Sequence, residues 1–221
     1  MTGLASLVRT ERPRLRGLYG ITSADALGVE KLVQHVTQAL EGGAALIQYR
    51  DKGTDTVRRL SEACALREIC RSYQAPFIIN DDVALARAVG ADGVHLGDDD
   101  AAVSEARQQL GRDAIIGVSC YNTLIRARAA AAGGADYVAF GRFFPSHTKP
   151  QAVTASLGLL RAARAELQIP IVAIGGITPD NGAQLVAAGA DMLAVVEGVF
   201  GADDVRGAAQ YYTQLFEQQE K

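Results

Sequence analysis

Apolar residues recur along the chain in short runs separated by longer stretches of mixed polarity. Four of these runs follow a Gly-Ala pair: GGAALIQ (42–48), GADGVHLG (90–97), GGADYVAFG (133–141) and GADMLAVV (189–196). Counted at Ala44, Ala91, Ala135 and Ala190, they are 47, 44 and 55 residues apart. Between consecutive copies lies another apolar run, FIIND (77–81), IIGVS (115–119) and IVAIGG (171–176), and GLYGIT (17–22) precedes them all. Short runs that are apolar throughout predict strands covered on both faces. Most are followed by alanine- and leucine-rich stretches with helical spacing, such as Val57-Leu60-Cys64 with Arg58, Arg59 and Glu62 between. Gly-Ala ahead of a strand suits a helix C-terminus and a close turn into the sheet. Eight alternating units predict an α/β fold with a parallel sheet, most simply a single (β/α)8 TIM barrel. A doubly wound open sheet would leave the four-fold spacing unexplained.

A chain of 221 residues fits one such barrel. The barrel is expected over residues 17–221, behind a basic N-terminal arm (1–16) that carries Arg9, Arg12, Arg14 and Arg16. Hydrophobic residues make up 48 % of the chain, enough for a large core, and a net charge of −3 gives no reason to expect nucleic acid. The arm reads as a solvated tail. Cys64, Cys70 and Cys120 lack CxxC spacing and read as free thiols of a reducing compartment. With no apolar stretch of ~18 residues and no export signal, the expectation is a cytoplasmic protein without a membrane partner. A homo-oligomer is compatible with the sequence but not fixed by it.

In a barrel of this kind the chemistry sits where the strands end. Strand 2 ends in Gln48-Tyr49-Arg50-Asp51-Lys52, and Gln48, Arg50 and Lys52 share a side while the chain stays extended. An amide and two cations so spaced can cradle a polyanion, Arg gripping bidentately and Lys as a point charge. Strand 3 ends in Asn80-Asp81-Asp82 and strand 4 in Asp98-Asp99-Asp100. Carboxylates from neighbouring strands repel unless a cation relieves them, and Mg²⁺ takes one or two carboxylates plus water and phosphate oxygens. Some of these acids, Asp82 first, are expected to cap helices instead. Strand 6 runs into FGRFFPSHTKP (140–150), a loop suited to a lid or phosphate clamp. Strand 7 ends in IGGITPDN (174–181), where two glycines admit a ligand and Pro179 starts a helix. Two anion sites follow, one near loops 2–4 with a metal and one near loops 7–8. His35 reads as a helix-surface residue, His95 as a satisfied core histidine, and His147 as a lid residue.

The combination of QYRDKG, INDD…GADGVHLGDDD, GVS, PSHTKP and AIGGIT resembles the thiamine phosphate synthase family over roughly residues 17–200. The resemblance implies a transferase that joins a hydroxymethylpyrimidine diphosphate to a thiazole phosphate with release of diphosphate. It implies that Gln48, Arg50, Lys52, Asn80 and Lys149 hold the diphosphate and that Asp81 and Asp100 are Mg²⁺ ligands. Ser119 is implied as a contact to the diphosphate or the pyrimidine. Ser146, Thr148 and the backbone at Gly176 and Val196-Glu197 are implied around the thiazole phosphate. Arg50, Lys52, Ser119 and Lys149 are the implied catalytic groups, and the substrates are small molecules. The implied mechanism is dissociative, with electrostatic stabilisation of the leaving diphosphate and no protein nucleophile.

Two positions depart from the family pattern. Ser146 keeps the hydroxyl of a threonine often found there. Glu197 stands where a small or hydroxylated residue is common, so its side chain is expected to turn from the phosphate and leave only its backbone to bind. The sister thiazole tautomerase uses a histidine two positions after the strand-5 serine, where this chain has Tyr121, a poor base near neutral pH. A non-catalytic phosphate-binding barrel is a further alternative, as is, by fold analogy, a sugar-phosphate isomerase or epimerase.

Overall fold

The eight apolar runs become eight parallel strands, hydrogen-bonded in chain order and closed by pairing the first with the eighth. The structure is a computed structural model and describes residues 15–23, 28–97, 103–145 and 153–217. Its strands are β1 (Gly17–Ile21), β2 (Ala44–Tyr49), β3 (Phe77–Asn80), β4 (Gly93–Leu96), β5 (Ile115–Tyr121), β6 (Tyr137–Gly141), β7 (Ile171–Ile174) and β8 (Met192–Val195). Alternating with them are α1 (Val29–Glu41), α2 (Thr56–Ser72), α3 (Val83–Val89), α4 (Val103–Leu110), α5 (Leu124–Ala132), α6 (Leu157–Glu166) and α7 (Pro179–Ala187). A short α8 (Glu197–Phe200) and a longer α9 (Val205–Glu217) follow β8.

Because successive side chains on a strand face opposite ways, each strand feeds two cores. Tyr19, Leu46, Ile78, Ile115, Tyr137, Val172 and Met192 point inward and pack together inside the barrel. Leu18, Ile47, Phe77, Ile79, Val138, Ile171 and Leu193 point outward against the helices. Both sets are excluded from water, which is why the strands read as unbroken apolar runs.

Beneath the barrel, three of the four Gly-Ala copies continue into aspartate, and these aspartates tie strands in pairs. Asp92, Asp136 and Asp191 donate their backbone N–H to Phe77, Ile116 and Ile171 at 2.9, 2.7 and 2.8 Å. Each carboxylate accepts the N–H of that same residue at 2.8 Å. An arginine from the helix entering the odd-numbered strand completes each clamp: Arg67 with Asp92 at 3.3 Å, Arg107 with Asp136 at 2.6 Å, Arg164 with Asp191 at 2.8 Å. Strand-start N–H groups would otherwise be left without partners as the barrel closes.

The first copy has Ala45 in the aspartate's place. There the chain leans on α9 instead. Thr213 Oγ1 donates to the Gly42 carbonyl at 3.0 Å, and a Cβ on Gly42 would fall 2.6 Å from the Arg206 carbonyl. The glycine is what lets α9 come this close.

Three details differ from the sequence pattern. The helix at Val57-Leu60-Cys64 is present, but Val57 and Cys64 are fully turned to solvent and Leu60 is exposed. Glu62, Ala63, Leu66 and Cys70 occupy the buried face instead. Glu62 goes inside because Arg58 and the Tyr49 hydroxyl satisfy its carboxylate. His35 is half-buried, its Nδ1 has no hydrogen-bond partner among the described residues, and burial lowers its pKa. At the other end, Leu15 packs against the interior cluster and the Arg16 guanidinium lies 5.7 Å from the Phe216 ring centre. Arg9, Arg12 and Arg14 lie outside the described residues. The three cysteines are free thiols, with Cys70 and Cys120 buried.

The clamps make a stability prediction. Asp136→Ala removes the acceptor of the Ile116 N–H and the ion-pair partner of Arg107, and is expected to cost about 2–4 kcal/mol. Chemical denaturation reads this as a lower midpoint at unchanged slope. An unchanged midpoint would show that the clamp does not hold the base together.

Candidate active site

At the mouth of the barrel the ends of β2 and β3 meet in an ion pair. The Lys52 ammonium contacts Asp81 Oδ2, and the same oxygen accepts from the Asn80 amide at 2.6 Å. Asp81 adopts a left-handed backbone (φ 63°), and its N–H donates to the His95 carbonyl at 2.9 Å, so its carboxylate is held between β3 and β4. Asp82 caps α3, accepting from the Leu85 N–H at 2.8 Å, and pairs with Arg59 at 2.9 Å. The two adjacent acids are thereby sorted into a helix cap and a mouth carboxylate.

Gln48, Arg50 and Lys52 do not form one extended row, because β2 stops at Tyr49. Gln48 lies inside the barrel, 2 % exposed, and donates to the Tyr19 hydroxyl at 2.6 Å. Arg50 is half-buried, its N–H accepted by Thr22 Oγ1 at 3.0 Å, and Lys52 stands at the rim with a 60 % exposed side chain. Asp51, between the two cations, turns the other way into a buried cluster. It accepts the Gly53 N–H at 2.5 Å and pairs with Arg58, which also bonds Glu62 twice at 2.9 Å. Burial alone would raise the Asp51 pKa, but the Gly53 N–H and Arg58 outweigh it and hold the carboxyl below its usual range. Loop β2–α2 is thus anchored from underneath while Lys52 stands at the mouth.

Inside the barrel, polar side chains from five strands join in one line. Gln48 bonds Tyr19, whose hydroxyl is 2.7 Å from that of Tyr137. Tyr137 is 2.9 Å from His95 Nδ1, and His95 Nε2 is 2.9 Å from Ser119 Oγ. Ser119 therefore sits at the end of β5 with its hydroxyl engaged, and His95 is the satisfied interior histidine expected. Tyr137 has room because its neighbour on β5 is glycine: a Cβ on Gly117 would fall 1.9 Å from Tyr137 Cζ. Arg126, from α5, ties the tops of β4 and β5, donating to the carbonyls of Ser119 at 2.7 Å and Gly97 at 3.1 Å.

On the opposite side of the mouth, Gly176 (φ 64°) lies under loop β6–α6, where a Cβ would meet the Pro145 carbonyl at 2.3 Å. The Asn181 side chain accepts the Thr178 N–H at 2.8 Å and donates to the Gly176 carbonyl at 3.0 Å, fixing the entry to α7. Val196 and Glu197 open α8 after β8. The Glu197 carboxylate is folded toward Gly201, where a Cβ would be 2.8 Å from Oε2, and so away from the start of that helix. Tyr121 has a left-handed backbone, and Arg126 lies 5.5 Å from its ring centre.

Asp98, Asp99, Asp100, Ser146, His147, Thr148 and Lys149 lie outside the described residues. Among the described residues no three His, Cys, Asp or Glu side chains converge. Mg²⁺ needs fewer, since water and phosphate oxygens complete its shell. Asp81 supplies a hard oxygen donor at the mouth, and its backbone is bonded to the strand that leads toward Asp100. The donor chemistry fits the ion.

Sequence reasoning missed Tyr19, Tyr137, Arg58 and Arg126. The only trace was a tyrosine within an otherwise aliphatic run at 17–22 and again at 137–141.

The chain is similar to known proteins over nearly its whole length. A family model described as thiamine monophosphate synthase matches residues 18–199. A thiamine-phosphate synthase of Nitrosococcus oceani is 56 % identical over 202 residues, covering 91 % of this chain and 93 % of that protein. One from an Azoarcus species is 56 % identical over 203 residues, covering 92 % and 98 %. Among solved structures, the thiamine phosphate pyrophosphorylase from Pyrococcus furiosus superimposes with a TM-score of 0.82 at 38 % identity, covering 94 % of this chain and 98 % of that one.

The tight seat of Tyr137 is testable. Gly117→Ala should push the ring off β5, costing about 1–3 kcal/mol or more, as overpacking does. Near-UV circular dichroism and the denaturation midpoint report the two effects, and a variant unchanged in both would show that the ring is not seated there.

Proposed function

The chain belongs to the thiamine monophosphate synthase family and is a transferase that forms thiamine phosphate, and we propose that it joins a hydroxymethylpyrimidine diphosphate to a thiazole phosphate with loss of diphosphate. The observation that carries this assignment of the site is the Lys52–Asp81 pair at the mouth, with Asn80 on the same oxygen. Without ligand the cation and the carboxylate neutralise each other. A diphosphate that drew Lys52 to itself would free the Asp81 oxygen, which could then hold a divalent cation to supply counter-charge for the leaving group.

Arg50 grips the diphosphate through paired N–H donors, Lys52 supplies a point charge, and Asn80 adds amide donors. The family resemblance adds Lys149 to this cage and Asp100 to the metal set. Mg²⁺, when bound by Asp81 and Asp100, would offset the charge that builds on the departing oxygens. The exocyclic CH2–O bond of the pyrimidine breaks first, because ring electrons stabilise the resulting cation. The thiazole nitrogen then captures that carbon. Gln48, expected on the diphosphate, is buried inside the barrel away from Lys52, so it is reassigned to orient the pyrimidine together with Ser119. The backbone at Gly176 and Val196-Glu197, with Ser146 and Thr148, receives the thiazole phosphate, and the turned-away Glu197 carboxylate supports this reading. Preorganised charge and positioning supply the catalysis. We place this chemistry in the cytoplasm, with small molecules as partners. The tautomerase alternative finds no support at Tyr121, a residue ill-suited to proton abstraction at neutral pH.

The direct test mixes the purified protein with both phosphorylated halves and Mg²⁺ and follows thiamine phosphate and diphosphate. Appearance of both in equal amounts is expected, and formation of neither would overturn the reading. Asp81→Ala or Asp100→Ala should weaken the Mg²⁺ dependence and slow coupling by roughly an order of magnitude or more. Parental rates in both variants would remove the metal assignment. Arg50→Lys should lower kcat/KM about tenfold although the charge is kept, because the bidentate grip is lost. An unchanged value would mean that Arg50 does not hold the diphosphate.

A further inference from the structure

The line Gln48–Tyr19–Tyr137–His95–Ser119 is more than a set of satisfied polar groups, because each hydroxyl in it has one proton to give. Gln48 presents its amide nitrogen to Tyr19 at 2.6 Å, so the Tyr19 oxygen accepts there. Tyr19 is 1 % exposed, and its remaining partner is Tyr137, so its proton goes to the Tyr137 oxygen at 2.7 Å. Tyr137, fully buried, must then give its own proton to His95 Nδ1 at 2.9 Å. With Nδ1 accepting, the proton of a neutral imidazole sits on Nε2 and is donated to Ser119 Oγ at 2.9 Å. The Ser119 hydroxyl proton is left to point toward the mouth. Burial pushes both tyrosine hydroxyls far above the ordinary range, so neither is lost as an anion.

The opposite order requires the Gln48 amide to turn over and every bond in the line to reverse at once. A mixed state would leave a buried donor without an acceptor. At the other end, Gln48 donates through its amide nitrogen, and its Oε1 makes no hydrogen bond to another described residue, which leaves that oxygen as the acceptor at this end of the line. We propose that Tyr19, Tyr137 and His95 are positioning residues that fix the hydrogen-bond polarity of the site, so that it offers an acceptor at Gln48 and a donor at Ser119 to one heterocyclic substrate. This rests on the reading above that Gln48 and Ser119 face the pyrimidine. It makes the preferred ligand one that donates toward Gln48 and accepts from Ser119.

Nitrogen-15 NMR of the imidazoles tests the polarity without any substrate, the His95 signals being assigned by their absence in His95→Gln. In the neutral ring the proton is expected on Nε2. Tyr137→Phe should release the tautomer into a mixture and lower kcat/KM for the pyrimidine diphosphate about tenfold or more, with KM for the thiazole phosphate unchanged. Tyr19→Phe, which leaves Tyr137 able to donate to His95, should give a smaller loss. His95→Gln keeps an N–H for Ser119 and should retain more activity than His95→Leu. A proton found on Nδ1, or Tyr137→Phe equal to the parent in tautomer and kinetics, would overturn the proposal. Parental turnover in Ser119→Ala, with the Nε2–H signal of the parent protein intact, would instead overturn the substrate reading while the polarity stood.

Discussion

The barrel depends on how its strand starts are closed off from water. A parallel sheet that curls onto itself leaves N–H groups at its base with nothing above or below them, and an unpaired buried N–H is costly. Asp92, Asp136 and Asp191 answer this with one side chain per strand pair, and an arginine pairs with each carboxylate. Because parallel register is rigid once one end is fixed, the clamps also decide which residues emerge together at the mouth. Asn80 stands opposite His95 and Ser119 opposite Ala139 for that reason.

At the mouth the electrostatics are arranged in two tiers. Asp51, Arg58, Glu62 and Tyr49 form a buried, mutually satisfied cluster that holds the β2–α2 loop from below. Lys52 is left at the rim with its side chain 60 % exposed. A buried ion cluster of this kind contributes little net stability, and its use is to specify a geometry. Here the geometry is a loop that sets Lys52 against Asp81 at the rim.

How much of this was legible in the sequence depends on the range of each interaction. The eight strands, the helix-ending glycines and the barrel could be read because they follow from local periodicity and from turn chemistry at Gly90, Gly134 and Gly189. The cap at Asp82 and the mouth acid at Asp81 could be read from strand-end position. The face of α2 could not, because Glu62 is drawn inside by Arg58 and by Tyr49, which lies thirteen residues earlier on another element. The interior line was hidden for a stronger reason. Its members come from β1, β2, β4, β5 and β6, and only closure brings Tyr19 and Tyr137, 118 residues apart, to within a hydrogen bond. The GAD triplets were visible as a repeat, yet what their aspartates do appears only when the neighbouring strand is in place.

The substitution of Ala45 for the clamp aspartate also bears on the order of assembly. The turn into β2 is completed by a threonine 171 residues further along the chain. An earlier-made part of the chain therefore waits on a later-made one, because the turn into β2 is not fully bonded until α9 is in place. Such long-range closure slows folding and ties the turn into the β1–β2 quarter to the arrival of α9.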